Sequence, residues 1–111
     1  MIPQRSTSYL RRRRRALLRR LPPLTAILRG SLIERYKRCG DPHCQCARGP
    51  GHGPKYYLSI SQSHGRPTMD YVPQECQPQV AEYLANYRLL REILEEICQI
   101  NRELLRRREP L

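Results

Sequence analysis

The stretch QVAEYLANYRLLREILEEICQINRELLRRRE, residues 79–109, determines the fold of the second half of the chain. It contains neither glycine nor proline, the residues that most often interrupt a helix. Apolar and aromatic side chains recur in it every three or four residues, which is the spacing of one helix face. We therefore predict one long helix, which would extend about 45 Å over about 30 residues.

The apolar positions of this helix also fit a heptad repeat, whose predicted core positions are Val80, Tyr83, Tyr87, Leu90, Leu94, Ile97, Asn101 and Leu104. One arrangement packs this face on the sheet and N-terminal helix of the same chain, with Cys98 as a further core residue. The other arrangement binds a partner protein or a second copy of the chain through Tyr83, Tyr87, Leu90, Leu94, Ile97, Asn101 and Leu104. Asn101 favours the second arrangement, because a lone asparagine in a heptad core can fix register and oligomeric state.

Three shorter segments ahead of the helix have the alternation and composition of β-strands. They are SLIERYKRC (31–39), KYYLSI (55–60) and TMDYV (68–72), and SQSHGRP (61–67) supplies a turn between the last two. Together they predict an antiparallel sheet of two or three strands. The expected fold is therefore α+β, with a small sheet followed by the long C-terminal helix.

Three cysteines lie close together in CGDPHCQC, residues 39–46, after the first predicted strand. Clustered cysteines in a reducing compartment are more often metal ligands than disulfides, and the total of five cysteines is odd. Three thiolates and one imidazole can form a tetrahedral zinc site. We predict one structural Zn2+ bound by Cys39, Cys44, Cys46 and His52. Cys76 is the alternative fourth ligand, and the remaining alternative is a turn-rich loop whose thiols bind no metal.

Other functional classes leave no clear pattern in the sequence. No apolar run reaches the roughly 20 residues that a membrane span requires, and the basic N-terminus lacks the apolar core of a signal peptide. There is no C-x-x-C redox motif and no grouping of nucleophile, base and acid. We therefore expect a non-enzymatic protein that makes no membrane contact and resides in the cytoplasm, with association with the nucleoid as an option.

The charge of the chain is strongly positive and unevenly distributed. The formal net charge is +11, and residues 1–29 contain nine arginines and no acidic residue. Residues 30–74 carry a net charge of +3, and residues 75–111 a net charge of −1. We interpret these blocks as an arginine-rich arm or helix, a zinc-binding β core and a long amphipathic helix. Such a charge indicates an anionic partner, with nucleic acid as the first candidate.

The arginine-rich segment STSYLRRRRRALLRRL, residues 6–21, has the pattern of a short helix. Ser6 or Thr7 would cap its start, and Pro22 and Pro23 would end it, because proline lacks a backbone N–H. Five successive arginines repel one another. We therefore expect this arm to be disordered or fraying until phosphate or a partner neutralises it.

Basic side chains suited to phosphate lie in the arm and around the predicted sheet. Guanidinium groups pair bidentately with phosphate oxygens and give affinity without sequence information. The predicted nucleic-acid-binding residues are Arg11, Arg12, Arg13, Arg14, Arg15, Arg19, Arg20, Arg35, Lys37, Arg38, Arg48, Lys55, Tyr56 and Arg66. The tyrosines that interleave with the basic residues of the predicted sheet could stack on bases. They are Tyr36, Tyr56, Tyr57 and Tyr71, and at most two of them are expected to be free of packing contacts. DNA and RNA are both open as the ligand.

The stretch GSLIERYKRCGDPHCQCARGPGHGPKYYLS, followed by YVPQE and the long helix, resembles a family of small uncharacterised bacterial and phage proteins. Their shared core is similar to G-S-L-x-x-x-Y-x-x-C-G-x-x-x-C-x-C-x-x-G-x-x-H-G-P-Y, with Y-V-P ahead of a long helix. The resemblance covers about residues 30–108 and leaves the arginine arm outside. It implies an association with mobile elements and their recombination machinery, and a metal-binding fold with the ligands Cys39, Cys44, Cys46 and His52. Cys76 falls where this family more often has other residues.

Three functional hypotheses are compatible with these features. The first is a non-enzymatic, zinc-stabilised nucleic-acid-binding protein that acts as an accessory subunit of a larger nucleoprotein assembly. The second is a protein–protein interaction adaptor or an oligomerising coiled-coil module, in which the arginine arm binds an acidic protein surface. The third is a small zinc-dependent enzyme that acts on nucleic acid. Salt-sensitive binding to DNA or RNA would favour the first over the second.

Overall fold

The computed structural model describes residues 2–37, 43 and 52–111. Its helices and strands, in chain order, are α1 (Thr7–Leu18), β1 (Ser31–Lys37), β2 (His52–Ile60), β3 (Thr68–Val72) and α2 (Gln77–Arg106). Short 3-10 turns occur at Ile2–Gln4 and Gln74–Cys76. This order confirms the predicted α+β class, with a three-stranded antiparallel sheet and a long C-terminal helix.

The chain divides into two compact units, and each takes part of α2. The helical unit comprises Met1–Ile27 and Ala85–Leu111, and the sheet unit comprises Leu28–Leu84. The sequence suggests three consecutive parts, whereas the structure groups the arginine-rich segment with most of the long helix.

The helical unit is stabilised by apolar side chains that α1 and α2 bury against each other. Its core consists of Leu10, Leu17, Ile93, Ile100 and Leu104. The two helices run antiparallel, because residues near the start of α1 contact residues near the end of α2. Burial of one leucine contributes roughly 2 kcal/mol, so the two leucines of α1 hold this helix against α2.

The arginine arm is therefore a packed helix, and the prediction of disorder is wrong. Its N-cap is Ser6, whose hydroxyl oxygen accepts a hydrogen bond from the Tyr9 backbone N–H at 3.1 Å, as one of the two predicted caps would. The helix ends at Leu18, before the two prolines. Repulsion among the arginines is offset because α2 contributes a carboxylate and an amide oxygen that bind two of them, Arg13 and Arg14.

The buried side chains of α2 are Leu84, Ile93, Ile100, Glu103 and Leu104. Ile93, Ile100 and Leu104 recur at spacings of seven and four residues, so the buried stripe lies one residue before the predicted core positions Leu94 and Asn101. Leu84 packs instead in the core of the sheet unit. Leu94, in the predicted heptad core, is 51% exposed, and Cys98 is exposed. The expectation that Cys98 is a core residue is wrong, because the helix turns it away from the buried stripe. Among the described residues, no helix carries an apolar stretch long enough to cross a lipid bilayer.

The sheet unit consists of strands in the order β1-β2-β3, with both pairs antiparallel. The first turns of α2 cover one face of the sheet, and the core between them contains Leu28, Leu32, Tyr56, Leu58, Ile60, Val72, Cys76, Val80 and Leu84. Alternate side chains of a strand point to opposite faces. The residues between these core positions, among them Tyr57 and Tyr71, therefore lie on the outer face of the sheet.

The entry into β1 requires a glycine. Gly30 has φ of 131°, and a Cβ at this position would lie only 2.6 Å from the Ser59 carbonyl oxygen. Just before it, the Leu28 N–H donates to the Tyr83 carbonyl oxygen at 3.2 Å, which ties this segment to α2.

Candidate nucleic-acid interface

The arginines of α1 fall into two sets, and one set is already bound within the helical unit. Arg14 Nη1 donates to Asn101 Oδ1 at 2.6 Å. Arg11 Nη2 donates to the Pro110 carbonyl oxygen at 2.9 Å and lies 3.8 Å from the Glu109 carboxylate. Asn101 thus binds a side chain of the same chain. It is predicted to set the register of a coiled coil, but in this fold it positions α1 on α2.

Arg13 makes a bidentate ion pair with Glu96. Its Nε lies 2.6 Å from Oε2 of the carboxylate, and its Nη2 lies 3.1 Å from Oε1. The hydrogen bond to Arg13 is the main cause that lowers the pKa of Glu96, and the charge of Arg20 lowers it further. The same hydrogen bond raises the pKa of Arg13. Arg13 is therefore engaged within the helical unit itself.

Replacement of Glu96 by glutamine is expected to reduce the free energy of unfolding at pH 7 by about 1 kcal/mol, since a charge-assisted bidentate pair is lost but is partly screened by water. A lowered carboxyl pKa contributes stability above the ordinary value of 4.5, and this stability is lost as the pH falls through the lowered pKa. The difference between the two proteins should thus shrink toward zero in acid. Urea unfolding at pH 7 and near pH 3 measures it. Glu95→Gln, an exposed neighbour, is the control, and an equal difference at both pH values would contradict the prediction.

The second set of arginines is exposed and unpaired. The guanidinium groups of Arg12, Arg15 and Arg19 have no hydrogen bond or ion pair with any residue that the structure describes, and all three side chains are exposed. Their spacing of three and four residues places them on one face of the segment, where they line a shallow hollow with Ala16. We call Arg12, Arg15 and Arg19 the arginine stripe. The seven residue steps from Arg12 to Arg19 give the stripe a length of about 10 Å.

Arg107 fixes the residues that precede α1. Its guanidinium donates to the Glu103 carboxylate at 2.8 Å and to the Thr7 hydroxyl at 3.1 Å. It also donates to the carbonyl oxygens of Pro3 and Arg5, at 3.2 and 2.7 Å. Glu103 is only 8% exposed, and guanidinium contacts satisfy its carboxylate oxygens. No role for Glu103 is predicted from the sequence, although Glu103 follows the buried Ile100 by three residues, a spacing that places both on one side of the helix.

The basic residues of the sheet unit are partly described. Arg35 and Lys55 are exposed and face each other as Cα partners on β1 and β2. Arg66 is exposed in the turn before β3. Lys37 ends β1, and the predicted phosphate-binding residues Arg38 and Arg48 lie outside the described residues.

The tyrosines of the sheet occupy both faces. Tyr56 is partly buried in the core of the sheet unit, and its contact with nucleic acid stays a prediction. Tyr57 and Tyr71 are paired across the outer face, with ring centroids 5.8 Å apart and planes at 69°. Tyr36 donates its hydroxyl to the Glu34 carboxylate at 2.9 Å, which raises the Tyr36 pKa.

The predicted metal site falls largely outside the described residues, since Cys39, Cys44 and Cys46 are not among them. His52 is the first residue of β2 and is the Cα partner of Lys37, two residues before Cys39. The sheet therefore brings the two ends of the cysteine-containing segment together, as a shared metal ion requires. Cys76 packs in the core of the sheet unit. Within residues 2–37, 43 and 52–111, no three cysteine, histidine or acidic side chains are grouped as metal ligands.

The residues predicted to bind a partner or a second copy are distributed around α2. Leu104 is fully buried against α1, and Ile97 packs partly against the same core. Leu94 is largely exposed, and Tyr87 and Leu90 are half-buried. Tyr83 is half-buried in the part of α2 that belongs to the sheet unit. Contact with a partner stays a prediction for Tyr83, Tyr87, Leu90 and Leu94.

Comparison with known proteins identifies the family of the chain. No curated protein and no solved structure matches the chain. One family pattern matches residues 7–82, which extend from the first residue of α1 to the first turns of α2 and include the whole sheet. The chain thus belongs to the family described as a domain of unknown function, DUF6788.

Proposed function

We propose that this protein binds nucleic acid without being an enzyme, and that it acts as an accessory subunit of a larger nucleoprotein assembly. The observation that carries the proposal is the arginine stripe on α1 and its C-cap residue, Arg19. Three guanidiniums on one face have no acidic or polar partner among the described residues, in a chain whose net charge is +11. Unpaired cations held in a fixed array form a binding surface for a polyanion.

The stripe has dimensions that suit a phosphate backbone. The stripe carries three guanidiniums over about 10 Å, so it can contact up to about three phosphates of a nucleic-acid backbone. The arginines next to the stripe are engaged with α2, which fixes the orientation of α1 and hence of the free guanidiniums. Such contacts give affinity and position, and they are the same for every sequence.

Zinc completes the proposal as a structural element. The ligands we propose are Cys39, Cys44, Cys46 and His52, because β1 and β2 hold the two ends of this segment together. A bound zinc ion would fix the connection between these strands and add folding free energy to a small sheet. The ion has no proposed role in a reaction.

The test is the salt dependence of binding. A triple variant, Arg12→Gln, Arg15→Gln and Arg19→Gln, is expected to bind generic duplex DNA more weakly. The slope of log K against log salt should become shallower by about 2 to 3, because each phosphate contact contributes about 0.9. Fluorescence anisotropy with a labelled duplex, at salt concentrations from about 50 to about 300 mM, measures both the affinity and the slope.

The matched control removes the same charge elsewhere on the helical unit. Arg88, Arg91 and Arg102 are exposed on α2 and have no ion pair with a described residue, so their replacement by glutamine should leave the slope almost unchanged. Equal effects of the two triple variants would mean that only net charge matters, which contradicts the stripe. Binding that is absent, or insensitive to salt in the unmodified protein, would overturn the proposed function and favour a protein–protein adaptor.

A further inference from the structure

The outer face of the sheet combines exposed aromatic rings with positive charge. Three rows of side chains cross this face, because directly opposed residues of neighbouring strands share a face. One row is Ile33, Tyr57 and Tyr71, the next in one direction is Arg35 and Lys55, and the next in the other direction is Ser31, Ser59 and Met69. The aromatic row is thus bordered on one side by two cations.

The rings of this face are accessible to a ligand. Tyr71 is 58% exposed and Met69 is 37% exposed, although both are apolar enough to be buried in a typical core. Tyr57 is half-buried and supports Tyr71 from the side, with the two rings edge to face. A tyrosine braced in this way offers its ring with little loss of conformational freedom on binding.

The charges of the sheet are sorted by face. The acidic residues of the strands, Glu34 and Asp70, have the same alternation as the inner residues Leu32, Leu58 and Val72. The outer face has no acidic side chain among the described strand residues. An anionic ligand with flat apolar groups fits this pattern better than a second copy of the same basic face.

We propose that the outer face binds the unstacked bases of single-stranded nucleic acid, with Tyr71 and Tyr57 as the stacking surface and Arg35 and Lys55 as phosphate contacts. Aromatic side chains stack on any base, whereas the bases of an intact duplex are stacked on each other and inaccessible to a flat sheet. The arginine stripe binds phosphates of either form. This proposal rests on the proposed function and adds a preference for single strands.

Tryptophan fluorescence can report contact with a base, because the chain contains no tryptophan. Tyr71→Trp places a single indole on the outer face. A single-stranded oligothymidylate is expected to quench its emission as it binds, and a duplex of equal length should cause little quenching at the same salt concentration. Quenching or a spectral shift that depends on protein concentration without nucleic acid would show that a second copy covers this face, which overturns the proposal.

A set of tyrosine variants tests the energetic contribution. Tyr71→Ala is expected to weaken binding to the oligothymidylate by about 5- to 100-fold, the range seen for loss of one stacking ring, while duplex binding stays the same. Tyr71→Phe keeps the ring and should retain single-strand affinity. Tyr36→Ala is the matched control, since Tyr36 is 46% exposed on β1 but is bound to Glu34. Its affinity should not change.

The outcomes separate this proposal from the proposed function. One outcome refutes only the stacking face: duplex and oligothymidylate both bind with a steep salt dependence, but the indole is not quenched. In that case Tyr71→Ala and Tyr71→Phe would also bind oligothymidylate with equal affinity, and the proposed role of the arginine stripe would be unaffected. If neither nucleic acid binds, both are refuted. Thermal unfolding of each variant, compared with the unmodified protein, confirms that the exposed substitutions leave the fold intact.

Discussion

Removal of zinc is expected to unfold the sheet unit and to leave the protein unable to hold its three-stranded sheet. Structural zinc contributes on the order of 10 kcal/mol to the folding free energy of small domains, which is comparable to the whole unfolding free energy of a small protein. The protein purified under reducing conditions should contain one zinc ion per chain. Incubation with a strong chelator should abolish the near-ultraviolet circular dichroism of the sheet tyrosines, and added zinc should restore it.

Cysteine variants identify the ligands in the same experiment. Cys44→Ser and Cys46→Ser are expected to lose zinc, and Cys98→Ser, at an exposed position of α2, should keep it. His52→Ala and Cys76→Ala distinguish the proposed fourth ligand from its alternative, and we expect only the first variant to lose the metal. A reduced protein that contains no zinc and keeps its tyrosine signal in chelator would refute the zinc site.

Leu10→Ala is expected to lower the free energy of unfolding of the helical unit by about 3 kcal/mol. Leu10 is completely buried between α1 and α2, and truncation of a buried leucine costs the transfer of its methyl groups and leaves a cavity. Because the net stability of a small protein is itself about 5–15 kcal/mol, this loss is large. Urea unfolding followed by far-ultraviolet circular dichroism measures it.

Leu18→Ala is the matched control, since Leu18 lies in the same helix but is 55% exposed. It should change the unfolding free energy by less than about 0.5 kcal/mol. A similar small effect for both variants would mean that α1 is not packed on α2 in solution. That result would restore the expectation that the arginine arm is disordered without its ligand.

The helices and strands could be predicted from local patterns, because their signals are local. The segment without glycine or proline becomes α2, within two or three residues of the predicted ends. The strand TMDYV coincides with β3. β2 begins at His52, three residues before the predicted start, because backbone pairing with β1 extends it beyond the strongly β-forming tyrosines.

The packing of these elements could not be predicted, because it depends on contacts between distant residues. The heptad pattern on α2 fails to identify the buried stripe, since α1 packs on only one side of that helix and leaves Leu94 exposed. The arginines of α1 have nearly the same local sequence, yet Arg13 is paired with Glu96, whereas Arg12 has no side-chain partner among the described residues. Only the position of Glu96 decides between them.

The orientation of the tyrosines depends on a single residue of register. Tyr56 and Tyr57 are adjacent, so one must face the core and the other must face outward. The sequence alone favours neither tyrosine for the core. In the structure, Tyr56 lies on the same face of β2 as Leu58, and that face packs against the first turns of α2. Of the four tyrosines, Tyr36 and Tyr71 are exposed, whereas Tyr56 and Tyr57 are half-buried.

The helical unit is built from two pieces of chain separated by the whole sheet unit, and this affects its formation on the ribosome. The arginine helix is synthesised first, but its core partners Ile93, Ile100 and Leu104 emerge about 80 residues later, which takes on the order of 4 to 16 s at usual translation rates. During that interval no carboxylate of α2 neutralises the nascent arginines. The surrounding ribosomal RNA is therefore the first polyanion that this cationic segment meets.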